Sequence, residues 1–137
     1  MSQQGKTERF TLPSSAPVVF DRAGMLNRLM NDENLAQQLM GVFLEDMPRQ
    51  IGLLRRYLDE SDATQVERQT HSVKGAAACI GAEALRTLAF EMEKAAEVGD
   101  LDSVAARMRE LDLQFLQLEE AMMKDRAECR RARAANA

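Results

Sequence analysis

Seven apolar residues, Leu101, Val104, Met108, Leu111, Phe115, Leu118 and Met122, recur at alternating spacings of three and four without a miss. A helix advances 3.6 residues per turn, so this spacing holds one stripe on one side of a helix through three heptads. Such a stripe is stable only when other helices cover it, and it excludes a strand, whose side chains alternate with a period of two. Composition points the same way. The chain is 45% hydrophobic but 4% aromatic, with no tryptophan, three prolines and many of the residues that favour helices. An all-α fold is expected.

Upstream of that stripe, capping residues divide the chain into further helices. Asp21 can cap a short first helix carrying Met25, Leu26, Leu29 and Met30, with Phe20 stapled against Met25. Asn31 or Asp32 then opens a long helix whose stripe runs Leu35, Leu39, Val42, Phe43, Met47, Ile51, Leu54, Leu58. The stripe keeps its phase across Pro48, so one helix kinked near that proline is expected. Asp62, with Gln65 as in a capping box, starts a third helix that Gly81 ends. A fourth covers about 82–98 and buries Leu85, Leu88, Ala89, Met92 and Ala96; Gly99 and Asp100 separate it from a single fifth helix. Long amphipathic helices joined by short turns predict an antiparallel four-helix bundle with a short N-terminal lid helix. Residues 1–18 read as a flexible leader, 19–123 as the bundle, and 124–137 as a basic C-terminal helix end or tail. The starting methionine and the full set of helices suggest a stand-alone, monomeric module.

Charge excludes some partners. With 18 basic and 22 acidic residues the net charge is −4, and no basic field exists for nucleic acid. The arginines near the C-terminus suit the dipole of a helix end. Cys79 and Cys129 lie far apart without CxxC spacing, which argues against a zinc site or a disulfide framework and fits a reducing, cytoplasmic setting. No apolar run reaches the ~20 residues of a membrane span, so no membrane partner is expected.

His71 is the one histidine in the chain. On a wheel of 100° per residue with His71 at zero, Val66, Val73, Ala77 and Ile80 fall at about 220°, 200°, 240° and 180°, an apolar stripe facing away from the imidazole. The histidine therefore points out. Around it lie Glu67 at about −40°, Lys74 at −60°, Ala78 at −20°, Gly75 at 40° and Arg68 at 60°. A glycine inside a helix costs about 1 kcal/mol relative to alanine, so Gly75 beside an outward imidazole marks cleared space for a second macromolecule. An imidazole nitrogen is a nucleophile toward an activated phosphoryl group, and Lys74 can offset negative charge gathering at the ring. There is no GxxxxGK[ST] loop, no GxGxxG after a strand and no carboxylate cluster for Mg²⁺. Nucleotide, metal and second nucleophile must come from elsewhere.

The stretch "HSVKGAAACIG" resembles the signature of histidine-containing phosphotransfer (HPt) domains, H-x-[apolar]-K-G-x-x-x-x-[apolar]-G. His71, Val73, Lys74, Gly75, Ile80 and Gly81 fit it, and "FLEDMP" and "AAEVGDL" are similar to segments of the same family, so the likeness spans about 19–123. Ala76 and Cys79 stand where many members carry serine and asparagine. The resemblance implies a phosphorelay intermediate without autokinase activity. His71 would be the phosphoacceptor, Lys74 the charge neighbour and Gly75 the docking clearance, with Glu67, Arg68 and Ala78 beside them. Partners would be receiver domains of response regulators or hybrid histidine kinases. No cofactor belongs to the chain, since the receiver would supply Mg²⁺.

Two rivals are open to test. A Cys79 nucleophile activated by His71 is disfavoured, because eight helical residues separate them by about 12 Å, and Cys79 in its alanine-rich surroundings reads as a small buried hydrophobe. The other is a non-phosphorylated helical-bundle adaptor that binds signalling proteins.

Overall fold

The computed structural model describes residues 17–136. Most of the expected leader, 1–16, lies outside the described residues. Six helices follow in order: α1 (Arg22–Arg28), α2 (Glu33–Asp59), α3 (Ala63–Ile80), α4 (Glu83–Glu97), α5 (Leu101–Ala106) and α6 (Met108–Ala135). Aspartates open four of them. The carboxylates of Asp21, Asp32, Asp62 and Asp100 accept from the backbone N–H of Gly24 (3.0 Å), Leu35 (3.0 Å), Gln65 (3.2 Å) and Ser103 (3.2 Å). Each satisfies an orphan donor of a first turn and contributes about 1 kcal/mol.

The helices pack as a bundle around α3, which lies against α4 on one side and α2 on the other. The core takes Met40, Phe43, Met47, Ile51 and Leu54 from α2, Val66, Val73, Ala77 and Ile80 from α3, and the expected Leu85, Leu88, Ala89, Met92 and Ala96 from α4. Val104, Met108, Leu111, Phe115, Leu118 and Met122 close it, so the stripe that opens the sequence argument is buried as expected, with Leu101 half-buried at its start. A polar link centred on the buried Gln50 joins α2 to α3. Gln50 Oε1 accepts from Ser72 Oγ at 2.9 Å and from Gln69 Nε2 at 3.2 Å, while its own amide donates to Asp46 at 2.6 Å.

The short α1 is the lid. Its first turn meets the α3–α4 turn, where Asp21 N donates to Gly81 O at 2.7 Å, and Met25 is wholly buried beneath it. Arg22 ties it down, bonding Glu33 of α2 at 2.6 Å and the nearly buried Asp125 of α6, which also accepts from Gln37 at 3.1 Å. Gly81 takes φ +84°, the left-handed cap that ends α3.

Three expectations are corrected. The last helix is two, because Arg107 breaks it: its N–H turns to Val104 O at 3.0 Å, a tighter i−3 bond, and its guanidinium reaches Glu91 of α4 at 2.7 Å. Periodicity is blind to this break because Val104 and Met108 stay buried on either side. Met30 leaves the first helix, 89% exposed at φ +56°, since Met30 and Asn31 reverse the chain so that Asp32 can cap α2. In α2, Leu35 and Val42 are exposed while Ala36 and Met40 are buried, although the helix does run unbroken through Pro48. None of the described helices is long and apolar enough to cross a membrane.

Candidate functional site

Mid-way along α3, the His71 side chain is 68% exposed, on the face opposite the buried Val66, Val73, Ala77 and Ile80. Thr70, just before it, is buried and turns its hydroxyl to Val66 O and Glu67 O, both at 2.9 Å. That bond spends the one polar group the core side of this turn carries. The ring projects from a helix whose other side is buried in the core.

A residue that sequence reasoning missed organises the site. Glu93 comes from α4 and has a side chain only 9% exposed. Its Oε2 lies 2.7 Å from His71 Nδ1, and its Oε1 lies 2.7 Å from Lys74 Nζ. Burial would push the Glu93 carboxyl up, yet the hydrogen bonds and charges of Lys74 and His71 together outweigh it and hold the group below its ordinary range. One signal was legible. Glu93 sits next to Met92, one turn from Ala89 and one from Ala96, so a carboxylate borders the core face of the helix that pairs with α3.

Lys74 is thus engaged on two sides, with Glu93 and with the face of Phe90, whose centroid is 5.2 Å away. Glu67 and Arg68 join His71 and Glu93, with Thr64, around an open concavity. Ala78 lies apart from it, its carbonyl accepting from Arg28 of the lid at 3.3 Å. Gly75 is exposed, and a Cβ there would meet nothing within 4 Å. No neighbouring helix requires that glycine. Gly81 differs: a Cβ would stand 2.7 Å from the backbone oxygen of Asp21.

Beyond Gly75, an apolar groove runs between α2 and α3, lined by Leu39, Val42, Phe43, Met47, Ala76 and Cys79 among others. This explains the misread stripe of α2, since Val42 serves the groove and not the core. Cys79 is exposed in it, so the expectation of a buried thiol is corrected: its place on the wheel, about 80° from His71, is turned from the core. Among the described residues no cluster of three or more His, Cys, Asp or Glu side chains is arranged to hold a metal ion.

An outward histidine, a lysine at i+3, an uncrowded glycine at i+4 and a left-handed glycine closing the helix lie together, and the family model of the Hpt domain matches residues 38–128. The chain belongs to the Hpt domain family. Histidine-containing phosphotransfer protein 2 of Arabidopsis thaliana is 23% identical over 100 residues, covering 69% of this chain and 64% of that protein, so the chain spans under two thirds of this curated relative. Among solved structures, histidine-containing phosphotransfer protein B from Pseudomonas aeruginosa PAO1 superposes with a TM-score of 0.76 at 24% identity, covering 83% of this chain and 98% of that one. The HPT domain of an Hpt sensor hybrid histidine kinase from Shewanella gives 0.69 at 18% identity, covering 80% and 95%. These two likenesses establish the fold as that of an Hpt helical bundle.

Proposed function

We propose that this Hpt domain is a phosphorelay intermediate in which His71 takes a phosphoryl group from the aspartyl phosphate of one receiver domain and delivers it to the aspartate of another. The observation that carries the reading is the outward imidazole beside Gly75, where a Cβ would find open space on every side. In-line transfer needs the acyl phosphate within about 3–3.5 Å of the ring nitrogen, so a receiver must bring its backbone close to α3. A glycine that no internal packing demands fits that approach. The apolar groove alongside offers surface for the same partner to cover.

Charge stabilisation of the travelling phosphoryl would come mainly from the receiver, including its Mg²⁺, with Lys74 as a nearby cation already shared with Glu93. The chain would act as a carrier without autokinase activity. Incubation with a phosphorylated receiver should yield base-stable, acid-labile phosphate on the protein, lost in His71→Gln, whereas ATP alone should yield none. Labelling from ATP with kinases excluded would overturn the carrier reading. Receiver binding without any phosphate transfer would favour a helical-bundle adaptor instead.

A further inference from the structure

We infer that the outer face of α6 is a self-association surface, on which two copies of this chain pair through an antiparallel two-helix seam. Such pairing is independent of the phosphorelay reading and departs from the monomeric module expected from the sequence. α6 carries two apolar stripes. Met108, Leu111, Phe115, Leu118 and Met122 are buried against the core, while on the other side Leu113, Leu116 and Met123 are 53%, 57% and 56% exposed. With Leu116 at zero on the wheel, Leu113, Glu120, Met123 and Ala127 lie within about 60° of it, and Leu111, Phe115, Leu118 and Met122 lie about 100–160° away. The outer residues recur at spacings of three and four, as in a coiled-coil seam with one glutamate in it. Leu113, Leu116, Glu120 and Met123 border an open concavity. Three apolar side chains in line, on a helix already anchored by its opposite face, make a surface suited to a second helix.

Charge along the edges of the stripe selects a second copy as the occupant and sets its direction. One edge reads Glu110, Gln117, Lys124, Arg131 at seven-residue intervals, all four exposed, and the other reads Asp112, Glu119, Arg126, Arg133. Both run from acidic to basic. Laid antiparallel about a twofold axis near residue 121, Glu110 meets Arg131 of the second copy, Gln117 meets Lys124, Asp112 meets Arg133 and Glu119 meets Arg126, each pair occurring twice by symmetry. The same register sets Leu116 on Ala127, Glu120 on Met123, and Leu113 on the aliphatic stem of Arg130. A parallel pair would instead set Glu120 on Glu120, Arg130 on Arg130, and Arg126 beside Arg131. The first edge is the freer one, with Glu110 3.7 Å from Arg107, whereas Asp112 and Arg133 of the second edge already touch Arg55 and Asn34 of α2. α6 packs on α2 and α4, as α3 does, so it stands across the bundle from α3 and pairing leaves His71 open in both copies.

Sedimentation equilibrium on the full chain tests this. The mass should rise with concentration from one chain to two, and Leu116→Glu, a solvent-facing change to another good helix former, should weaken dimerisation by about tenfold or more. Arg131→Glu should weaken it severalfold, and adding Glu110→Lys should restore it, because the double swap reinstates the same pair in reverse. Direction is read separately by cross-linking single cysteines with a short bismaleimide, in a chain with Cys79 and Cys129 replaced by serine. Glu120→Cys, beside the axis, should link to itself. Leu113→Cys should not, because antiparallel pairing holds the two copies of that residue about 25 Å apart along the helix. Linking at both sites, or at neither, overturns the inference. So does the mass of one chain at every concentration up to about 100 μM, which would leave the stripe to a different protein or to residues 1–16. A dimer that folded Leu116→Glu leaves unchanged overturns it as well, placing the contact elsewhere, such as the groove between α2 and α3.

Discussion

Gly75 and Glu93 carry opposite kinds of information about the site. At Gly75 the helix gives up about 1 kcal/mol of intrinsic stability that no internal contact demands, because a Cβ would meet nothing within 4 Å. Gly75→Ala should therefore raise the midpoint of thermal unfolding by a few degrees. Gly75→Gln and Gly75→Leu should fold as well as wild type and exchange phosphate with a receiver progressively more slowly. Stability falling together with transfer across the three variants would mean that the glycine serves packing. At Glu93 the ionised form is favoured by folding, since its carboxyl is held below its ordinary value of 4.5 by Lys74 and His71 despite burial. A depressed carboxyl contributes stability that is fully present above the unfolded value and is lost as pH falls through the folded one. The stability gap between wild type and Glu93→Gln should thus be constant above about pH 5 and narrow on acidification below it, as read by urea unfolding at a series of pH values.

Among the elements, the α3–α4 turn joins the end of α3 to the lid. Gly81 combines φ +84° with a backbone oxygen of the lid 2.7 Å from where a Cβ would stand. Gly81→Ala should cost about 1–2 kcal/mol for the left-handed conformation alone and more for displacing Asp21, and amide exchange in α1 should rise first. A loss confined to α3 with α1 still protected would show that the lid does not rest on this turn. The same reasoning separates the two glycines of the signature, one that no internal contact demands and one that the fold requires. Helix breaks obey a different logic. Arg107 interrupts the last helix without disturbing the burial of Val104 and Met108, and Pro48 stays inside α2 with its ring exposed, so neither leaves a mark on the apolar period.

At the scale of the molecule, the Asp125 carboxylate of α6 ties the lid to the bundle, and further along α6 Arg133 donates to Asn34 of α2 at 2.5 Å. Asp125 is nearly buried and accepts from Arg22 of the lid and from Gln37 of α2, joining three elements. Asp125→Ala leaves the Arg22 guanidinium with Glu33 as its remaining partner and takes the acceptor from the Gln37 amide, and should destabilise the chain by about 1–3 kcal/mol in denaturant unfolding. Protection of α1 amides should fall more than that of α3. Equal loss across all helices would indicate that the lid and bundle unfold as one unit. In either case His71 lies mid-way along α3, away from this tie, so phosphate exchange by the folded variant should be unchanged.

Local rules were enough for much of this protein. Aspartate caps at 21, 32, 62 and 100, the glycine stop at 81, the buried stripes of α3 and α4 and the outward histidine all follow from steric and hydrogen-bonding preferences acting within one turn or from a 3.6-residue period. The tertiary structure decided what depends on distance between helices. Val42 reads as core by period, yet it borders an open groove because α3 presents the small Ala76 and Cys79 there. Glu93 reads as one more charge on α4 until α3 packs beside it and sets His71 and Lys74 each 2.7 Å from its oxygens. Twenty-two residues separate that carboxylate from the imidazole it holds. Helical periodicity relates side chains on one rod, and only packing determines which side chain of a second rod comes to meet them.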